Sequence, residues 1–136
     1  MLSRRMLTKE EEEAMGDEVE VRREDQDKIN KFSRLHQREL SLVEELKAKN
    51  KEKEELDDIT TELELADEED TVPYKIGDAF FHIPLAQAQE LLGISTARLE
   101  EEIGELDDKL DRIREEMTQL KVELYARFGK TINLET

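Results

Sequence analysis

The chain has 136 residues, a net charge of −16 and neither cysteine nor tryptophan; 43% of its residues are charged and 36% hydrophobic. This rules out a disulfide framework, a thiolate nucleophile and a thiolate metal site, and it disfavours nucleic acid or an anionic membrane surface as a partner, since either would cost electrostatic energy. The length suits one domain, and so lean an apolar content suits long helices that bury a narrow stripe.

Residues 1–18 show no apolar period and include the run Glu10–Glu13, so they are expected to form a disordered acidic tail. The opening "MLSRRML" is basic and apolar, but "KEEEEAMGDEVE" follows at once and argues against import into an organelle. No apolar run approaches the roughly 20 residues that span a bilayer. A cytoplasmic protein without membrane attachment is expected, and the absence of cysteine fits a reducing compartment.

From Glu24 to Ala66 the chain has neither glycine nor proline, and good helix formers dominate, which predicts a helix over 24–66. Its apolar spacing is irregular. Ile29, Phe32, Val43 and Leu46 fit one register, whereas Leu56, Ile59, Leu63 and Ala66 fit another. The intervening "KAKNKEKEE" offers only Ala48 to a seam, so loose packing is expected there.

The stretch "ADEEDTVPYKIGDAFFHIP" then changes character. Val72, Tyr74 and Ile76 precede the pair Gly77-Asp78, and Phe80, Phe81 and Ile83 follow it, which predicts a β-hairpin over 71–83. Pro73 and Pro84 are tolerable at an edge strand and at a helix start. A second helix is predicted over 85–128. Leu99, Ile103, Leu106, Leu110, Ile113, Met117, Leu120 and Leu124 alternate steps of four and three, the heptad pattern of a left-handed coiled coil. Upstream the seam weakens to Leu85, Gln89, Leu92 and Thr96.

The expected fold is mostly α: a long antiparallel two-helix coiled coil with one β-hairpin at the end opposite the termini. At 1.5 Å per residue each helix would measure about 65 Å. The C-terminal "LYARFGKTINLE" then sits at the free end, with Tyr125 and Phe128 among only six aromatic residues. Gly129 can end the helix in a left-handed conformation. Two readings of this cluster stay open: it folds back as an apolar cap against Ile29 and Phe32, or it leaves apolar surface for a partner. A lone hairpin is marginal in water, so its apolar residues imply pairing with other chains.

The chemistry of an enzyme is missing. His36 and His82 lie far apart with no nucleophile or metal partner at a recognised spacing. Asp67-Glu68-Glu69-Asp70 lacks the glycine and spacing of an EF-hand loop, and Asp107-Asp108 reads as solvated surface. No catalytic residue, no metal site and no cofactor is expected.

Three strings in this order, "EDQDKINKFSRL" at 24–35, "LDDITTELELADEEDTVPYKIGDAFF" at 56–81 and "LKVELYARFGKTINLE" at 120–135, resemble the β-type subunits of prefoldin. The resemblance covers about residues 19–136, the prefoldin β-type domain. It implies a hetero-hexamer of two α-type and four β-type subunits, joined through hairpins into a β-barrel platform with coiled coils as tentacles. It also implies ATP-independent capture of unfolded clients such as actin and tubulin, and their delivery to the cytosolic group II chaperonin. Carried onto this chain, platform contacts fall on Val72, Tyr74, Ile76, Phe80, Phe81 and Ile83. Client contacts fall at the tip, on Ile29, Phe32, Leu35, Leu120, Leu124, Tyr125 and Phe128. Members of the family often carry Thr-Phe just before the "EDQ" stretch; Arg22 and Arg23 stand here, which removes an N-cap and an apolar tip residue. The rival reading is a structural coiled-coil scaffold that tethers folded partners.

Overall fold

The computed structural model describes Arg4, Arg5 and residues 20–134. Apart from Arg4 and Arg5, the expected tail over 1–18 lies outside the described residues. In chain order the elements are β1 (Arg4–Arg5), α1 (Arg23–Glu64), β2 (Thr71–Ile76), β3 (Ala79–Pro84), α2 (Leu85–Phe128), a 3-10 turn (Gly129–Thr131) and β4 (Asn133–Leu134). Two long helices with a two-stranded antiparallel hairpin between them make the chain mostly helical.

Helix α1 stops at Glu64 rather than Ala66 because its last turn tightens. The amides of Leu65 and Ala66 donate to the carbonyls of Glu62 and Leu63, three residues back. The acidic run beyond closes as a turn: the Asp70 amide donates to the Asp67 carbonyl at 2.9 Å, and the Asp70 carboxylate accepts from the Asp67 amide at 3.3 Å.

The chain divides into two units, one of Met1–Glu44 with Asp108–Thr136, the other of Glu45–Asp107. In the terminal unit the helices run antiparallel, as the pairs Lys28–Glu123 (3.4 Å) and Glu39–Arg114 (2.9 Å) show. Its core holds Ile29 and Phe32 of α1, Met117, Leu120, Leu124 and Phe128 of α2, and Ile132 and Leu134 beyond the helix; Leu35 and Ile113 pack against it. Burying Phe32 completely stabilises this end by about 1.5–3 kcal/mol.

The inward positions of α1 here run Asp25, Ile29, Phe32, His36, Glu39 and then Leu42. The last step is three where the heptad calls for four, a shift that overwinds the pair locally. Val43, placed in the seam by spacing, is therefore exposed, and Leu42 is buried in its stead. The break coincides with a polar layer. His36 Nδ1 lies 3.1 Å from Glu39, whose other oxygen accepts from Arg114 Nε.

In the hairpin unit the inward positions of α1 are Leu46, Lys49, Lys53, Leu56, Thr60 and Leu63, whereas Ala48 and Ile59 point outward. The lysines occupy the gap in the apolar pattern: their stems lie in the seam, and their ammonium groups reach Glu102 (2.8 Å) and Glu100 (3.9 Å) on α2. On α2 it is Ala88 that is buried, whereas Gln89 is exposed and lines an open cleft beside α1. Ala88, Leu92 and Thr96 follow at two successive steps of four, which lets the seam drift. A cleft of about 410 Å³ opens here, lined by Asp57, Thr60 and Glu64 of α1 and by Gly93, Thr96 and Glu100 of α2.

Candidate interaction surfaces

The hairpin turns through Gly77-Asp78, with Gly77 at φ +61° and Asp78 at negative φ, a turn with glycine required at its first central position. The register pairs Val72 with Ile83, Tyr74 with Phe81 and Ile76 with Ala79. Opposed residues share a face and neighbours alternate between faces. One face is thus entirely apolar: Val72, Tyr74, Ile76, Ala79, Phe81 and Ile83. The other carries Thr71, Pro73, Lys75, Phe80, His82 and Pro84, and there Lys75 Nζ sits 5.9 Å from the centre of the Phe80 ring.

The six expected platform residues are therefore split between the faces, five on the apolar one and Phe80 on the other. Little covers either. Phe81 is 51% exposed and Phe80 66%, Tyr74 and Ile76 are also exposed, and only Val72 and Ile83 are half-buried. A continuous apolar strip on a two-stranded sheet with open edges is the signature of a docking surface.

The tip of the terminal unit behaves in the opposite way. Past Phe128 the chain turns at Gly129 (φ +60°), forms a single 3-10 turn in which the Thr131 hydroxyl donates to the Phe128 carbonyl, and returns Ile132 and Leu134 to the core. Of the expected client contacts, Ile29, Phe32, Leu120, Leu124 and Phe128 are buried and Leu35 is half-buried. Lys121 and Arg127 lie over the Phe32 and Phe128 rings at 5.9 and 5.4 Å. Of these expected contacts only Tyr125, 40% exposed, offers apolar surface. One turn before it Val122 is 59% exposed on the same face of α2. Heptad reasoning missed Val122, because it lies outside the seam; its signal was a β-branched residue one turn from Tyr125 among charged positions.

The start of α1 is secured without a side chain at the N-cap. Asp25, in the first turn, accepts the Arg22 amide at 3.0 Å, the returning half of a capping box. The same carboxylate oxygen accepts from Arg127 Nε of α2 at 2.6 Å, and Arg127 Nη2 donates to the Glu20 carbonyl. One arginine thus ties the end of α2 to the beginning of α1. Burial pushes the Asp25 carboxyl up, but the Arg22 amide and the Arg127 guanidinium outweigh it and hold the group below the ordinary aspartate value.

Among the described residues, no group of three or more His, Cys, Asp or Glu is placed to hold a metal ion, and no helix is long and apolar enough to cross a membrane. Residues 26–131 match the family model described as prefoldin subunit. The human prefoldin subunit 4 is 41% identical over 123 residues, covering 90% of this chain and 92% of its own length. That of Saccharomyces cerevisiae is 42% identical over 117 residues, covering 86% and 91%. A probable prefoldin subunit 4 of Drosophila melanogaster is 34% identical over 119 residues, covering 88% and 86%. The family match runs from Gln26 in α1 through the hairpin and α2 to Thr131, and the chain belongs to the prefoldin subunit family.

Proposed function

We propose that this chain works as one subunit of a cytoplasmic hetero-hexameric prefoldin, assembled through its hairpin with α-type and β-type partner subunits. The complex captures unfolded proteins, actin and tubulin among them, without ATP and passes them to the cytosolic group II chaperonin. The observation that carries this reading is the apolar hairpin face, which the described residues leave largely uncovered and which a partner sheet would complete. Platform contacts are assigned to Val72, Tyr74, Ile76, Phe81 and Ile83, with Phe80 on the reverse face in a lesser role. At the tip, client contact is assigned to Val122 and Tyr125, since Ile29, Phe32, Leu35, Leu120, Leu124 and Phe128 form or border the core that holds the tip together. Several weakly apolar arms acting together supply affinity without sequence specificity.

A sealed tip also suits the scaffold reading, in which the arms tether folded partners. Aggregation assays separate the two. The assembled complex is expected to suppress aggregation of several unrelated denatured proteins without nucleotide, and Val122→Ser with Tyr125→Ser is expected to weaken that activity while assembly persists. A complex that binds one folded partner and protects no denatured protein would establish the scaffold instead.

A further inference from the structure

Between His36 and Leu46, helix α1 carries two candidate seams that share both ends. The one observed runs His36, Glu39, Leu42, Leu46, in steps of three, three and four. The other runs His36, Leu40, Val43, Leu46, in steps of four, three and three. Both depart from the heptad by the same shift, and only its place differs. Leu42 is completely buried, whereas Leu40 and Val43, one turn apart, are 44% and 37% exposed. Apolar burial does not account for this choice. The second seam would take in two aliphatic side chains for the one it releases, and it would return the Glu39 carboxylate to water, relieving the cost of its desolvation. What holds the observed seam is polar. One Glu39 oxygen accepts from Arg114 Nε at 2.9 Å, a charge-assisted bond, and the other lies 3.1 Å from His36 Nδ1.

We propose that the His36–Glu39–Arg114 layer is a latch that selects between two packings of α1. When it opens, the segment from Glu39 to Val43 turns about the helix axis by one position, about 100°. Glu39 and Leu42 then face water, and Leu40 and Val43 enter the seam. His36 and Leu46 belong to both seams, so the turn is confined between them and the core nearer the tip keeps its members. Two discrete arrangements of one packed element, biased by a single polar contact, are what a conformational device requires. The latch thereby sets the surface that this part of α1 shows: an apolar pair when closed, a carboxylate when open. Arg114 is its accessible member, with a side chain 53% exposed against 15% for Glu39.

The chain has no cysteine, so a single one reports its own surroundings. Leu40→Cys and Val43→Cys are made separately in the full chain, and alkylation is timed on the peptide that carries the reporter, in the complex purified through this chain. Both reporters should react readily in the parent. Arg114→Ala leaves Glu39 turned inward without its arginine, and each reporter should then slow by about tenfold as the segment turns. Adding Glu39→Leu to Arg114→Ala places an apolar side chain at the inward position and should restore the fast reaction. An ion pair that merely supports the helices predicts the opposite sign, because its loss would loosen α1 and speed alkylation.

Unchanged or faster alkylation in Arg114→Ala would overturn the proposal and leave the layer a support. Slowing at one reporter alone would also overturn it, since a turn of the helix carries both inward. Slowing that persists after Glu39→Leu would show that expulsion of the carboxylate is not the cause, and the latch would fall with it. Slowing at both positions, reversed by Glu39→Leu, is the result the two packings require.

Discussion

The two units of this chain hold three aromatic residues each and treat them in opposite ways. Phe32 and Phe128 are 0% and 2% exposed in the terminal unit, with only Tyr125 left at the surface, whereas Tyr74, Phe80 and Phe81 of the hairpin unit are all exposed. Composition does not separate the two sets; local architecture does. A pair of helices offers only a stripe in which to bury side chains, and the tip gains a third layer because the chain reverses at Gly129 and lays Ile132 and Leu134 over the helix ends. The hairpin gains no such layer among the described residues. Its apolar face is therefore left open among the described residues, while most apolar side chains of the tip are covered within the chain.

Substitutions should reproduce this contrast. The largest effect is expected for Phe81→Glu, which sets a charge in the middle of the apolar hairpin face. Assembly with partner subunits, followed by size exclusion, should be lost, while the helical circular dichroism of the chain is retained. Phe80→Glu, on the opposite face beside Lys75, should weaken assembly far less, and equal loss in the two would break the assignment of faces. Phe32→Ala should do the reverse, costing about 3–5 kcal/mol in urea unfolding without abolishing hairpin-mediated assembly.

Arg127→Ala removes the tie between the helix ends and strands the buried Asp25 carboxylate, for a loss of about 2 kcal/mol. Acid should imitate it. The folded Asp25 carboxyl titrates below its unfolded counterpart, so its contribution is in full force above about pH 4. It is lost as the pH falls through the lower folded value. Comparison of acid unfolding with Asp25→Asn should show that component of the pH dependence gone. The smallest stability change, within about 0.5 kcal/mol, is expected for Val122→Ser with Tyr125→Ser. Only client capture should register these two.

The contrast also explains what the sequence could say. The second helix was legible because its eight seam residues from Leu99 to Leu124 are all apolar, and the hairpin was legible from strand formers around Gly77-Asp78. The seam of α1 was not. Lys49 and Lys53 occupy inward positions with their charged heads turned to Glu102 and Glu100, and a pattern of apolar residues does not register lysine stems. The phase shift between Glu39 and Leu42 follows the polar layer of His36, Glu39 and Arg114, a cross-helix arrangement with no local signature; for that reason Val43 looked like a seam residue in place of Leu42.

At the tip, spacing identified the right cluster but not its state. Whether Phe128 caps the core or stays open depends on where residues 129–134 travel after the helix, a non-local fact. The missing N-cap at Arg22 was visible in the sequence. Its replacement by Asp25 and Arg127, which are 102 residues apart, was not.

The central claim is that the hairpin face joins this chain to others while the tip is finished within it. The most direct measurement is the native mass and subunit composition of the complex purified through this chain from its own cells, compared with the Phe81→Glu and Tyr125→Ser versions. The account predicts a hetero-oligomer of distinct chains of similar size, lost with Phe81→Glu and intact with Tyr125→Ser. A homodimer, or a complex indifferent to Phe81→Glu and dissolved by Tyr125→Ser, would contradict it.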